Sequence, residues 1–188
     1  MTAWHQVLSL SRAGHAVSLV CGSLEKPFPN DVNVRVYETL KIGGRIRVPM
    51  RLLGTIGTGR VHDRLTVAYL RRSGDRWDIF HGWPLGCLST LSELRKLGVP
   101  TVVERPNAHT AEAFRLVREE TARIGLETQR GNPHKYNAAQ LAREEREYGM
   151  ADFIACPSEF VRDSFLKRGF SEERCIRHRY GFDDEAIE

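Results

Sequence analysis

Short apolar segments alternate along the chain with longer stretches whose apolar residues recur at helical spacing. Segments such as AVSLVCG, VNVRVYE and VPTVVER are brief, rich in β-branched residues and bounded by glycine or charged residues, which is typical of strands. The longer stretches between them are typical of helices. This alternation predicts an α/β fold with a mostly parallel sheet covered by helices on both faces.

The pattern assigns most of the chain in order. A first helix ends near Gly14, and two strands, AVSLVCG and VNVRVYE, follow it. Residues 39–59 are rich in glycine and arginine and give no clear assignment, whereas residues 60–72 are predicted to be helical. The remaining elements are the strand WDIFHG, the helix PLGCLSTLSELRKLG, the strand VPTVVER, helices over residues 110–124 and 138–150, the strand ADFIACPS, a helix capped by Ser158 and the strand CIRHRYG.

Polar side chains follow three of the predicted strands at the point where each strand ends. His81 closes one strand, the run from Glu104 to His109 follows another, and Ser158 follows a third. Ligands of such sheets bind outside the carboxyl ends of the strands. We therefore expect these side chains to line one shared crevice.

The segment RPNAH is the most informative of these strand ends. Pro106 restricts Arg105 to extended conformations, and Asn107 is a residue type that caps helices, which would place His109 in the first helical turn. A helix dipole lowers the pKa of such a histidine, so its neutral imidazole could accept a proton or hold a hydroxyl. The alternatives are a capped helix start with a solvated His109, and a His81 packed against Trp83.

Three other patterns carry less information. GTIGTG, residues 54–59, has the glycines of a phosphate loop, but no Lys-Ser/Thr follows it and no clear strand precedes it, so a flexible surface loop is favoured. AREEREYGMAD is a mixed-charge helix face, from which Glu144 and Glu147 could alternatively reach the crevice. The histidines and cysteines show no metal-ligand spacing, so no metal is expected.

Composition bounds the class of protein. At 188 residues, with 41% hydrophobic and 28% charged residues, the chain is globular and of single-domain size. No apolar run approaches the ~18 residues of a spanning helix, and the N-terminus lacks the features of a signal peptide. The four cysteines form no CxxC pair, which favours free thiols in a reduced, cytoplasmic setting; they are Cys21, Cys87, Cys156 and Cys175.

The net charge of +4 is unevenly distributed. Between Arg45 and Arg76 there are eight arginines against two aspartates, a local excess of six positive charges. Such a basic surface attracts nucleic acid, anionic lipid or phosphorylated ligands, and charge alone does not choose among them.

Several segments together resemble the N-terminal domain of family-four glycosyltransferases, the retaining, nucleotide-sugar-dependent class with two Rossmann-like domains (the GT-B fold). RAGHAVSLVCG is similar to an early helix-to-strand turn of that domain, and WDIFHGWPLGCLSTLSELRKLGVPTVVERPNAH to its fourth strand, helix and fifth strand. The segment EREYGMADFIACPSEFVRDSFLKRGFSEERCIRHRYGFD is similar to its last unit. The resemblance covers nearly the whole chain.

The resemblance implies roles for individual residues. His109 corresponds to the family's histidine after the fifth strand, near the reacting centre, and is the expected catalytic residue. His81, Glu104, Arg105, Asn107 and Ser158 are the expected acceptor or substrate contacts. Tyr180 and Gly181 correspond to the interdomain linker, although His178 and Arg179 depart from the usual residues there.

The resemblance also sets the expected domain organisation. Residues 1–180 are expected to form a Rossmann-like acceptor-side domain that lacks its first, central strand, and residues 181–188 to begin the linker. The donor-binding second domain is expected beyond this chain, which we expect to be a fragment truncated at both ends and inactive alone, with no cofactor of its own.

The sequence leaves two functions open. The first is transfer of a sugar, with retention, from a nucleotide sugar to a glycan or lipid-linked acceptor. The second is a non-catalytic binding module that uses the basic region between Arg45 and Arg76 to hold anionic lipid or nucleic acid. Without an aromatic stacking motif we favour no nucleic acid partner, and we expect a cytoplasmic protein with peripheral contact at the inner membrane face.

Overall fold

The computed structural model describes residues 2–42, 46–47, 50–126 and 135–181. The chain divides into two units, Met1–Asp75 and Arg76–Glu188, each with its own sheet or sheets. The described residues form an α/β fold with parallel sheets and six α-helices, which confirms the predicted class and is consistent with a Rossmann-like domain. The missing central strand and the domain limits at residues 180 and 181 stay predictions, and residues 182–188 lie outside the described part of the chain.

The first unit contains a parallel pair of five-residue strands. Strand β1 pairs with β2 in a register that runs from Val17 opposite Val34 to Cys21 opposite Glu38. The Thr39 hydroxyl bonds to the His62 Nδ1 at 2.7 Å and ties the end of β2 to helix α2. The elements are α1 (Thr2–Arg12), β1 (Val17–Cys21), β2 (Val34–Glu38), β3 (Lys41–Ile42), β4 (Ile46–Arg47) and α2 (Met50–Ser73), with β3 and β4 antiparallel.

Helix α2 overturns one interpretation of the sequence. The helix predicted over residues 60–72 is confirmed, but α2 begins at Met50, so GTIGTG is helical after its first glycine and its interpretation as a surface loop was wrong. Gly54, with a φ of 62°, marks a kink within it. Thr58 and Thr66 are buried, and this tertiary packing outweighs the low helix propensity of the glycines.

The second unit is built on a four-stranded sheet. Its strand order is β5-β6-β7-β8, and all three pairings are parallel. The elements are β5 (Phe80–Gly82), α3 (Leu88–Lys96), β6 (Thr101–Glu104), α4 (Thr110–Arg123), α5 (Ala138–Met150), β7 (Phe153–Cys156), α6 (Glu159–Leu166), a 3₁₀ turn (Glu172–Arg174) and β8 (Cys175–Arg177). Each strand and helix of this unit was predicted from the hydrophobic pattern.

The two central strands carry the core of this unit. Val103 on β6 and Ile154 on β7 are fully buried and pack with side chains from the helices, including Leu91, Tyr148 and Phe165. Burial on both faces explains why these strands appear as nearly continuous apolar runs in the sequence.

Polar contacts fix the amino ends of the central strands. The Asp152 carboxylate, just before β7, accepts from the backbone N–H of Thr101 at 2.8 Å and from its hydroxyl at 2.7 Å. Arg174 donates to the carbonyls of Tyr148 and Ala151 at 2.8 and 2.6 Å, which satisfies the free carbonyl groups at the end of α5. These contacts hold the register of the sheet, so the opposite, carboxyl ends of its strands are set as well.

Candidate functional site

The carboxyl ends of β5 to β8 lie along one edge of the second unit's sheet, because the four strands are parallel. Strand β5 brings His81 to this edge and β6 ends there at Glu104. The chain that leaves β8 adds His178 and Tyr180. These four residues form what we call the Glu104 cluster.

A fully buried carboxylate lies at the centre of the cluster. The Nε2 of His81 lies 2.8 Å from Glu104 Oε2, and the Tyr180 hydroxyl donates to Oε1. His178 Nε2 lies 3.9 Å from the same Oε1. Glu104 has no exposed side-chain surface, whereas the His81 and His178 side chains are each 34% exposed. The cluster therefore joins a buried anion to side chains that solutes can reach.

This arrangement determines what His81 can offer a ligand. A carboxylate that accepts from one ring N–H fixes the tautomer and the orientation of the imidazole. With Nε2 as the donor to Glu104, the neutral ring presents Nδ1 as an acceptor. Such a group can orient a hydroxyl or accept its proton. Burial, and then the hydrogen bond to Glu104, raise the pKa of Tyr180, so its phenol stays protonated and remains a donor.

His109 lies elsewhere, inside the unit. Its ring is 1% exposed and packs against Tyr148 and Phe165, with centroids 5.3 and 5.0 Å away. Burial, followed by the charges of Arg168 and Arg105, lowers the pKa of His109 to about 4. The imidazole is therefore neutral, as predicted, but mainly through burial rather than through the helix dipole.

The start of α4 also differs from the prediction. His109 is itself the N-cap of the helix, and its Nδ1 accepts from the backbone N–H of Ala111 at 3.2 Å. The expectations that Asn107 caps this helix, and that a capped start leaves His109 solvated, were wrong. The buried ring takes the cap position because its nitrogen can satisfy a helix N–H that has no other intrahelical partner.

The other predicted contacts take different positions. Arg105 donates from Nε to the Ala108 carbonyl at 3.1 Å, and its Nη1 lies 3.7 Å from Glu144 Oε2. Asn107 is exposed. Ser158 caps α6 by accepting from the Val161 N–H at 3.2 Å, as its sequence position predicted. Direct contact thus joins two of the six predicted site residues, His81 and Glu104.

Sequence reasoning missed the part that Glu147 plays beside the site. Fully buried Glu147 accepts from the backbone N–H of Leu85 at 2.6 Å and of Cys87 at 3.3 Å. Arg143, 3.3 Å from Glu147, donates to the Leu85 carbonyl at 2.9 Å. Leu85 has a φ of 72°, which a non-glycine residue rarely adopts. Glu147 and Arg143 therefore hold the turn that follows β5 and the His81 end of the sheet.

Glu144 is buried in a second network on the same helix. Its Oε2 accepts from the hydroxyls of Thr110 and Tyr148, the latter at 3.0 Å, and Gln140 donates to its Oε1 at 3.0 Å. AREEREYGMAD predicted a mixed-charge helix face from which Glu144 and Glu147 could alternatively point inward, and both glutamates are buried. The signal was available in the sequence, since Glu144, Glu147 and Tyr148 recur at helical spacing on one face.

All four cysteines are free thiols, as predicted, and burial raises the pKa of Cys156 to about 12, which makes it a poor nucleophile. Within the described residues, no group of three or more His, Cys, Asp or Glu side chains is arranged to hold a metal ion. No helix in the same residues is long and apolar enough to cross a membrane.

Comparison with known proteins shows the family of the chain. No curated protein and no solved structure matches the chain. The sequence model of the family described as Glycosyltransferase Family 4 matches residues 2–185, nearly the whole chain. The parallel α/β fold of the described residues accords with that match. The chain therefore belongs to Glycosyltransferase Family 4, as its N-terminal domain.

Proposed function

We propose that this chain supplies the acceptor side of a sugar transfer that proceeds with retention. The observation that supports the proposal is the Glu104 cluster, in which a buried carboxylate orients a partly exposed imidazole at the strand ends. The acceptor is a hydroxyl of a glycan or of a lipid-linked sugar, and the donor is a nucleotide sugar.

In this proposal the cluster aligns the acceptor. His81, held through Nε2 by Glu104, offers Nδ1 to the acceptor hydroxyl. Alignment of two reactants in a cleft lowers the entropic part of the barrier, and stabilisation of charge on the leaving diphosphate supplies much of the remaining rate.

His109 keeps a proposed role as well, and its position defines that role. The ring lies beneath the start of α4 and holds the first turn through Ala111. Because the ring is 1% exposed, contact with a sugar requires a local rearrangement of α4. We propose that His109 is a positioning residue. It would hold the segment after β6 so that Arg105 and Asn107, which lie in that segment, can contact the substrate.

Variants of the cluster test this function. In the transferase that carries this domain, His81→Ala and Glu104→Gln should each lower kcat/KM by about 10²-fold, the typical contribution of one positioned acid–base group. Transfer is measured from a panel of UDP- and GDP-sugars to glycan and lipid acceptors. His15→Ala, at an exposed histidine of the first unit, is the matched control and should leave turnover unchanged. Equal, small effects for all three variants would remove the cluster from the reaction.

A second candidate function, binding to an anionic membrane, is favoured by one feature of α2. Arg60, Arg64 and Arg71 are exposed and recur at a spacing that places them on one stripe of the helix. Basic residues on one helix face are attracted to anionic lipid by about 1 kcal/mol each. The side chains of Arg45, Arg47 and Arg51 lie outside what the structure describes. The support for this function therefore comes from the stripe on α2.

Vesicle binding tests this second function. Affinity for phosphatidylserine-containing vesicles should exceed affinity for phosphatidylcholine vesicles and should fall as salt is added. Removing two stripe charges in Arg60→Ser/Arg64→Ser should weaken binding on the order of 30-fold, since each contributes about 1 kcal/mol. Arg95→Ser/Arg118→Ser removes the same charge from exposed positions in the second unit and serves as the control. Equal losses in both double variants would leave only a general charge effect.

A further inference from the structure

The chain that leaves β8 returns to the edge of its own sheet. The backbone N–H of His178 donates to the Cys156 carbonyl at 3.0 Å, so β8 and β7 remain joined up to that residue. Two residues later, the Tyr180 side chain reaches back and its hydroxyl donates to Glu104 Oε1. The His178 and Tyr180 rings contact each other with centroids 5.2 Å apart. A side chain from the departing segment therefore occupies the Glu104 cluster.

The donor that Tyr180 supplies is a neutral O–H, the same kind of group that an alcohol carries. His81 Nε2 lies 2.8 Å from Glu104 Oε2, and the Tyr180 hydroxyl donates to Oε1. A sugar or polyol hydroxyl is also a neutral O–H donor. Tyr180 is 37% exposed, so part of this residue faces solvent.

Burial of Glu104 restricts what can replace Tyr180. A buried carboxylate that loses a donor is strongly destabilised. Hydrogen bonds to charged groups are stronger than those between neutral groups, and a buried charge that lacks them is costly. An apolar molecule would offer Oε1 no O–H in place of the one from Tyr180, whereas an alcohol would replace one O–H with another. The site thus favours hydroxyl compounds over apolar ones.

We propose that Tyr180 occupies, in the unliganded chain, the position of the acceptor hydroxyl on Glu104 Oε1, and that the acceptor displaces it. This inference rests on the proposed function, since it takes the ligand of the cluster to be an acceptor alcohol. Binding of the acceptor and release of residues 179–181 from the sheet edge are then one event. Tyr180 is in this way an intramolecular competitor that sets the apparent affinity of the site.

Nuclear magnetic resonance on the chain with ¹³C-labelled tyrosine tests the displacement. Methyl β-D-glucopyranoside and glycerol are the probes, and cyclohexane-saturated buffer is the apolar comparison. The probes should shift the ring signal of Tyr180, which Tyr180→Phe identifies by its loss, while the signal of Tyr136 should stay in place. Tyr136 is 65% exposed and contacts Phe114, so Tyr136→Phe is the matched control.

The affinity of the variants decides the outcome. Tyr180→Phe keeps the ring but removes the competing O–H, so polyol binding, followed through the His81 ring signals, should become about tenfold tighter. Glu104→Gln should abolish the shift, and Tyr136→Phe should bind like the unaltered chain. A Tyr180 signal that no polyol moves, or a Tyr180→Phe chain that binds polyol no more tightly, would overturn the inference, and neither result depends on a folded Glu104→Gln. The nuclear magnetic resonance signal does not depend on sugar transfer. If polyols displace Tyr180 but the His81→Ala transferase is fully active, the result counts against the proposed function and not against this inference.

Discussion

Buried polar residues of the second unit each have a specific partner. Glu104, His109, Glu144 and Glu147 are at most 1% exposed. Glu147 accepts from the backbone N–H of Leu85 and holds the turn after β5, and His109 accepts from the helix N–H of Ala111. A buried polar group without such a partner would be costly, so each of these contacts restricts the local conformation of the chain.

At the residue scale, acid should destabilise the chain through His109. The pKa of His109 is about 4 in the folded chain, against an ordinary value of 6.5 that applies to the unfolded chain. Between pH 4 and pH 6.5 the histidine is therefore protonated mainly in the unfolded chain. The free energy of unfolding should therefore fall as the pH is lowered from 6.5 to 4, because protons favour the state that binds them.

Urea unfolding followed by circular dichroism at a series of pH values measures this dependence. His109→Asn retains a side-chain oxygen suited to the cap position but does not titrate, so its stability should fall less steeply over the same range. The comparison uses slopes, because the smaller side chain lowers stability at every pH. Parallel curves for both proteins would show that His109 is not the group responsible.

At the element scale, side-chain caps fix where helices begin. Helix α4 is capped by His109, α5 by Asn137 and α6 by Ser158, each of which accepts a backbone N–H of the first turn. Two of these helices begin directly after strand-end segments, so the cap also sets how the chain turns at the site edge.

Ser158 allows capping and substrate contact to be separated. Ser158→Ala should lower the free energy of unfolding by about 1 kcal/mol, because the Val161 N–H loses its acceptor. Ser158→Asn restores a capping oxygen and should recover most of that stability. If Ser158 also contacts substrate, kcat/KM in the transferase should fall in both variants, whereas full activity of the stable Asn variant would leave only the cap.

The sequence predicted elements better than it predicted contacts. Strands β6 and β7 were recognisable because burial on both faces requires apolar runs, and Ser158 because capping is a local interaction. His81 and Glu104 were placed at one edge by strand order alone. The burial of His109 and the role of Glu147 depend on partners 55 to 62 residues away, Ser164 and Leu85, which no local pattern encodes.

At the scale of the whole molecule, the two units differ in how their sheets are supported. In Met1–Asp75 the strands form two-stranded sheets, and every residue of β1 is half-buried. In Arg76–Glu188 a four-stranded sheet has fully buried residues on both central strands. Two-stranded pairs have little stability of their own in water, so the units should differ in local stability.

Hydrogen exchange read by mass spectrometry should show this difference. Peptides from β6 and β7 should exchange slowest, at rates set by global unfolding, and peptides from β1 and β2 should exchange well before them. Low denaturant should accelerate exchange in β6 and β7 but change that of β1 and β2 little. Equal protection of all four strands would indicate one cooperative unit.

The turn at Leu85 also bears on the order of events during folding. Its left-handed backbone is unfavourable by itself, and the Glu147 carboxylate that stabilises it lies 62 residues further along the chain. Contacts between such distant residues form only after the loop between them has closed. The turn beside His81 therefore reaches its final shape after α5 has docked, and a newly synthesised chain completes this edge of the sheet late.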